Sequence, residues 1–215
     1  MTEQIYAALA MIAPNMTISL GGGRHMLALA EALAATHPAV TVCSPSEATE
    51  HACRELGLTV DQAATNIDIA FDGCDIVDSQ LRLLKSNGAI FTDEKRNAML
   101  AKQVVILLGV AHYQAVLDSK TPLTVETIDA SLPLVLATGN KFGLRKQLRK
   151  ASNYMGATRT RNGNLLVDLF AFDWQNIDQI DHALTALPGV LATSLFVDIA
   201  TKLLIENLDG TLTIH

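Results

Sequence analysis

Basic residues are scarce: 16 Lys and Arg stand against 22 Asp and Glu, for a formal net charge of −6. A surface that grips nucleic acid or an anionic membrane needs clustered cations, so this balance argues against both as partners. The one basic cluster, Arg145-Lys146 with Arg149-Lys150, reads as the solvated side of a helix. Cysteine is also sparse. Cys43, Cys53 and Cys74 are odd in number and lack CxxC spacing, which fits a reducing cytoplasm and disfavours both a disulfide framework and structural zinc. The histidines form no HxxxH or HExxH, and His51 and Cys53, two apart on a helix, face away from each other. No metal or other cofactor is expected. Neither a G-x-S-x-G elbow nor a Cys/His nucleophile pair occurs. The longest uninterrupted apolar run, Val104 to Ala111, is far short of the roughly 20 residues that span a bilayer. The apolar stretch from Ile5 to Pro14 follows Glu3 and no basic residue, which argues against a signal peptide. A soluble chain is expected.

What is present is a folding composition, with 49% hydrophobic and 18% charged residues. A chain of 215 residues buries one large core, or one domain carrying a smaller one. Residues 3–12 have helical character, ended by Pro14-Asn15. Strand-like runs at Thr17–Leu20, Val40–Cys43, Leu58–Val60, Ile67–Phe71 and Val104–Leu108 alternate with helical patterns at Met26–Ala35, Ser46–Leu56 and from Thr92. This alternation predicts a mostly parallel sheet with helices on both faces.

After Pro122 the texture changes. A strand at Leu123–Thr127 precedes a mostly helical Leu132–Lys150, then runs at Asn153–Thr160 and Leu165–Phe170 joined by Arg161-Asn162-Gly163-Asn164, a strong hairpin signal. A helix at Ile177–Leu187 and a strand at Val190–Val197 complete a β-α-β-β-α-β order, that of a small split α/β sandwich. Thr201–Ile214 reads as two strands around Asp209-Gly210 that return to the first sheet. The expected division is residues 1–121 plus 198–215 for the larger domain and 122–197 for the smaller.

Four motifs carry chemistry. Gly21-Gly22-Gly23-Arg24-His25 lies between a strand and a helix, where backbone N–H groups and the helix dipole favour an anion. It is neither a dinucleotide fingerprint nor a P-loop, since Met26 stands where a third spaced glycine would fall and no GK[ST] follows. Asp72-Gly73-Cys74-Asp75 ends a strand, where open α/β sheets place ligand groups. Lys85-Ser86-Asn87-Gly88 and Asp93-Glu94 follow. Singly each also reads as a turn or a helix start; as an ordered set of two aspartates, an ammonium and a glutamate they suit proton transfer beside a carbonyl, the chemistry of an enolising isomerase.

With these motifs, the chain resembles the type A ribose-5-phosphate isomerases over nearly its whole length. The correspondence runs through the glycine loop, Ser44–Thr49, Asp72–Asp78, Lys85–Lys95, Pro122–Glu126, Asn162-Gly163-Asn164 and Leu187–Val190. The resemblance implies a Rossmann-like domain with a small split α/β, ferredoxin-like domain, assembled as a homodimer or homotetramer in the cytoplasm. It implies Glu94 as the base that moves a proton between C2 and C1 of a sugar phosphate. Lys85 and the neighbouring Ser86, Asn87 and Gly88 would stabilise the oxyanion, and Asp72 and Asp75 would hold hydroxyls and assist ring opening. The family's phosphate loop reads Gly-Thr-Gly-Ser-Thr; here Gly22, Arg24 and His25 replace the Thr, Ser and Thr. Two family lysines, falling near Met1 and Tyr113, are absent, and Ile76 and Asp93 replace an acid and an arginine. The functional expectation is the interconversion of ribose 5-phosphate and ribulose 5-phosphate. The alternatives are a relative that binds or senses a different sugar phosphate, and the same chemistry on an unphosphorylated sugar.

Overall fold

A computed structural model describes residues 2–36, 39–152 and 155–215. The chain alternates through α1 (Glu3–Leu9), β1 (Thr17–Leu20), α2 (Arg24–Thr36), β2 (Thr41–Cys43), α3 (Glu47–Glu55), β3 (Thr59–Val60) and β4 (Ile67–Asp72). Two short strands, β5 (Ile76–Asp78) and β6 (Leu83–Leu84), precede α4 (Phe91–Leu100) and β7 (Ala101–Gly109). Next come β8 (Tyr113–Gln114), β9 (Leu123–Thr127), α5 (Leu132–Lys141), β10 (Arg145–Leu148), β11 (Leu165–Phe170), α6 (Ile177–Thr185), β12 (Val190–Thr193) and β13 (Leu195–Phe196). β14 (Lys202–Glu206) and β15 (Leu212–Ile214) close the sequence of elements. Two compact units result, one of Met1–Cys74, Asp93–Tyr113 and Val197–His215, the other of Asp75–Thr92 and Gln114–Phe196.

The first unit holds a seven-stranded sheet in the order β15-β14-β7-β4-β1-β2-β3. Its strands pair in parallel except β15, which runs antiparallel to β14. Strand periodicity explains how both faces are covered. Ile18 and Leu20 of β1 join Leu29 and Leu33 of α2, Cys53 of α3 and Phe71 of β4 in one core. Ser19, between them, faces the other way, and its hydroxyl accepts from Asn97 Nδ2 on α4 at 3.0 Å. From β1 the chain winds outward through β2 and β3, then returns to lay β4 on the opposite side of β1. The β1/β4 boundary is therefore the point where strand order reverses.

In the second unit β9, α5, β10, β11, α6 and β12 give the expected β-α-β-β-α-β succession, with antiparallel sheet order β10-β11-β9-β12. Val125, Val135, Val167, Leu169, Ile180 and Leu184 form its core. A separate small sheet runs β13-β6-β5-β8.

Four expectations are corrected. Helical continuity from Leu132 to Lys150 fails, because the helix beginning at Leu132 stops at Lys141 and residues 145–148 form β10. Gly143, at φ +67°, takes the left-handed conformation that ends the helix. Its N–H donates to the Asn140 carbonyl at 3.0 Å and the Leu144 N–H to Gly139 at 2.8 Å, the paired bonds of a glycine C-terminal cap. The basic cluster is thus an edge strand and its continuation. Secondly, the run expected at Asn153–Thr160 supplies only the isolated bridges Lys150↔Ala157 and Arg159↔Leu165 among the described residues, since β10 already occupies the free edge of β11. Asn153 and Tyr154 lie outside the described residues, as does Met1. Thirdly, Val190–Val197 is not one strand: β12 pairs with β9, whereas β13 leaves for β6. Finally, residues 75–92 and 114–121 fall in the second unit, because β5 and β6 pair with each other and β6 with β13, outside the parallel sheet.

A Cβ at Gly143 would meet nothing within 4 Å, so Gly143→Ala incurs only the left-handed backbone penalty. We expect a loss of about 1–2 kcal/mol, read as a lower urea midpoint at unchanged slope, with Gly143→Asn losing less.

Candidate active site

The candidate residues fall into two groups, one in each unit. In the first unit β1 runs from Leu20 into Gly21-Gly22-Gly23, and α2 starts at Arg24. The loop is fastened on two sides. Gly21 N–H donates to the Phe71 carbonyl at 2.9 Å, extending the β1–β4 ladder, and the Gly21 carbonyl accepts from Thr49 Oγ1 at 2.9 Å. Ser44 Oγ donates to the Leu20 carbonyl at 2.6 Å. Asp72, buried at the carboxyl end of β4, accepts the Gly73 N–H at 2.8 Å. A Cβ on Gly21 would overlap the Asp72 carboxylate, so any larger residue here displaces that side chain. Gly23, at φ +93°, makes the turn into the helix, and its carbonyl accepts from Met26 and Leu27.

Arg24 is exposed and His25 half-buried in the first turn of α2. Burial, and then the charge of Arg24, push the His25 imidazole below its ordinary value of 6.5. His25 is therefore neutral at pH 7. Because its folded value is depressed, the fold loses stability as pH falls below about 6.5, where only the unfolded chain takes up the proton readily. The start of this 13-residue helix presents N–H groups and the positive end of the dipole beside Arg24. Glu94, buried in the first turn of α4, and Asp93, ion-paired with Arg96 at 3.1 Å, also belong to this unit.

The second unit gathers Asp75, Lys85, Ser86, Asn87 and Gly88. Asp75 Oδ2 accepts the N–H groups of Ser86 at 2.6 Å and Asn87 at 3.1 Å, while Oδ1 accepts from Asn87 Nδ2 at 2.6 Å. Gly88 and Ala89 follow at φ +80° and +61°, turning the chain towards α4. Lys85 is buried; its N–H donates to the Ser194 carbonyl at 3.0 Å, and its Nζ lies 5.8 Å from the centroid of the Phe196 ring. Arg149 also reaches this loop, donating from Nη2 to the Ser86 carbonyl at 2.8 Å. No expectation placed it there; the helix-stop signal at Phe142-Gly143 would have exposed it. Among the described residues no group of three or more His, Cys, Asp or Glu is arranged to hold a metal ion.

Glycine loop and Asp72 at the reversal point of a doubly wound sheet define an α/β ligand-binding protein, since that is where such sheets take small molecules. Residues 41–210 match the family Ribose 5-phosphate isomerase A (phosphoriboisomerase A), and the chain belongs to it. It is 31% identical to ribose-5-phosphate isomerase A of Prochlorococcus marinus (strain MIT 9211), with 95% of this chain and 90% of that protein covered. Against the protein of that name from Roseiflexus sp. (strain RS-1) the identity is 32%, covering 97% and 92%. The solved ribose 5-phosphate isomerase A of Methanocaldococcus jannaschii superposes with a TM-score of 0.90 at 22% identity, covering 99% of this chain and 96% of that one, which bears on the fold.

The contact between Gly21 and Asp72 is testable by a double-mutant cycle. Gly21→Ala should lower the melting temperature, and adding Asp72→Ala should restore part of the loss, with a coupling of about 1–3 kcal/mol. Additive losses would mean the methyl group is accommodated elsewhere.

Proposed function

We propose that the chain interconverts ribose 5-phosphate and ribulose 5-phosphate through an enediolate. The observation that carries this is the family match over residues 41–210, which contains all four residues assigned to catalysis: Asp72, Asp75, Lys85 and Glu94. Glu94, sheltered from water in the first turn of α4, takes the C2 proton and returns it to C1. Lys85 faces the oxygen on which negative charge develops, its backbone fixed to Ser194, with Ser86, Asn87 and Gly88 lining the same loop. Asp72 holds hydroxyls and assists ring opening. Asp75 shares that role while its carboxylate orders Ser86 and Asn87. The isomerisation is redox-neutral overall and moves one proton from C2 to C1 and one from O2 to O1 within the substrate, so its balance needs no cofactor.

The glycine loop lies outside the matched span. There Gly21, Gly22 and Gly23 bring the backbone close to the phosphate, Arg24 supplies the positive charge that lysines supply in the family, and neutral His25 adds a hydrogen-bonding ring. A guanidinium suits bidentate phosphate contact. The family resemblance also supports a homodimer or homotetramer. A reducing cytoplasm fits the free cysteines, of which Cys53 is buried with its thiol pushed up to about 11.

Ketose formation from a panel of aldose 5- and 6-phosphates tests the function. Activity on ribose 5-phosphate is expected; binding without turnover on any member would favour a sugar-phosphate sensor. Glu94→Gln keeps the side chain's shape but removes its basicity, so turnover should fall roughly a hundred- to ten-thousand-fold while substrate still binds. Retention of half the turnover would remove Glu94 from the role of base.

Arg24→Ala should weaken binding of the phosphorylated sugar about ten- to a hundred-fold, as expected for losing a charged hydrogen bond of roughly 1.5–3 kcal/mol. The unphosphorylated sugar should scarcely respond. Equal changes for both ligands, read by titration, would leave Arg24 no phosphate role.

A further inference from the structure

All of Ser86's polar groups are engaged. Its N–H goes to Asp75, its hydroxyl donates to the Pro122 carbonyl, and its carbonyl accepts from Arg149. A hydroxyl has one proton, so the 3.0 Å contact between Ser86 Oγ and Ser194 Oγ must be donated by Ser194. Ser194 Oγ in turn accepts the Thr124 N–H at 2.8 Å. Thr124 Oγ1 donates to Asp168 Oδ1 at 2.7 Å and accepts from Arg149 Nη2 at 3.0 Å. Arg149 completes the circuit with Nε donating to Asp168 Oδ2 at 3.0 Å and Nη2 to Asp168 Oδ1. The circuit is largely buried: Thr124 and Ser194 are inaccessible, and Ser86 nearly so. Arg149 is its one cation, and Asp168 its counter-charge.

We propose that Arg149, clamped by Asp168, is a positioning residue for the Lys85–Asn87 loop. The inference rests on the isomerase reading for its catalytic consequence. Lys85 and Ser86 are adjacent in the chain, so fixing the Ser86 backbone on both of its peptides restrains where the Lys85 side chain begins. The Arg149 bond holds that carbonyl from one side, while Asp75 and Ser194 hold the flanking N–H groups from others. A guanidinium is required because one planar fork meets a carboxylate, a hydroxyl and a carbonyl together, with the two N–H groups of Nη2 shared among three acceptors and Nε giving a fourth bond. An ammonium at the end of a lysine stem lacks that geometry. Neither Arg149 nor Asp168 is assigned a contact with the sugar, so losing the clamp should act on the barrier through a displaced ammonium rather than on ground-state binding.

The experiment compares full-length wild type with Arg149→Met, Arg149→Lys and Asp168→Asn by two readouts. Amide hydrogen exchange at Ser86 should accelerate about tenfold or more in each variant, with amides of the parallel sheet unchanged. The turnover number with ribose 5-phosphate should fall about ten- to a hundred-fold, with KM within about threefold, and Arg149→Lys should not restore it. A variant that melts at a lower temperature yet keeps wild-type turnover well below that temperature would overturn the proposal, as would unchanged Ser86 exchange. If Arg149→Met does not fold, the near-isosteric Asp168→Asn is judged by the same two outcomes. If wild type makes no ketose, the isomerase reading fails by itself, and Ser86 exchange still decides whether Arg149 holds the loop.

Discussion

The parallel pairing of β1 with β4 is the constraint on which the first unit depends. Leu20 is in register with Phe71, and the ladder runs one bond further, from Gly21 N–H to the Phe71 carbonyl. That bond draws the glycine loop against the last residue of β4, and Asp72 then leaves no room for a side chain at Gly21. Local sequence and sheet register are coupled at one point. The glycine is set by the carboxylate, and the carboxylate is placed by the strand. The two buried hydroxyls of Ser44 and Thr49 secure the carbonyls of Leu20 and Gly21 from the α3 side, so backbone polarity left at the strand end is satisfied within the protein.

The second unit solves a related problem by other means. Its candidate loop has no long parallel strand behind it, only the short pairing of β5 with β6 and β6 with β13. Side-chain hydrogen bonds replace the ladder: Asp75 takes two successive N–H groups, and the Arg149–Asp168 pair takes a carbonyl. Buried polar circuits of this kind are costly when incomplete and specific when closed. Here the circuit closes, with each hydroxyl assigned one donation.

Legibility follows the range of the interactions. β1, β2, β4 and β7 are readable because buried parallel strands are apolar runs bounded by turn residues, and the β-α-β-β-α-β order holds although its second strand lies at Arg145–Leu148 instead of Asn153–Thr160 and its fourth stops at Thr193. Arg145-Lys146-Gln147-Leu148 misleads because an edge strand, paired on one side only, keeps the polar composition of a helix surface. The glycine loop and Asp72-Gly73-Cys74-Asp75 are visible as motifs. What no motif records is the clash of Asp72 with any side chain at Gly21, or the reach of Arg149 to a carbonyl 63 positions away. Both are tertiary distances, and a single sequence carries them only through strand register.

On the isomerase reading, proton transfer and phosphate capture tolerate change differently, which fits where this chain departs from its family. Moving a proton from carbon requires a base, a stabilised oxygen and their mutual alignment, and small displacements are severe because the gain exists only in the transition state. Asp72, Asp75, Lys85 and Glu94 stand within the matched span. A phosphate dianion is bound in the ground state by total charge and many interchangeable donors, so a helix N-terminus with an arginine is a physical substitute for hydroxyls and distant lysines. The side-chain chemistry is not additive: burial of His25, and after it the charge of Arg24, opposes protonation of the imidazole. On the isomerase reading the loop then offers one fixed charge at Arg24, with the remaining attraction for the phosphate from backbone N–H groups at the start of α2.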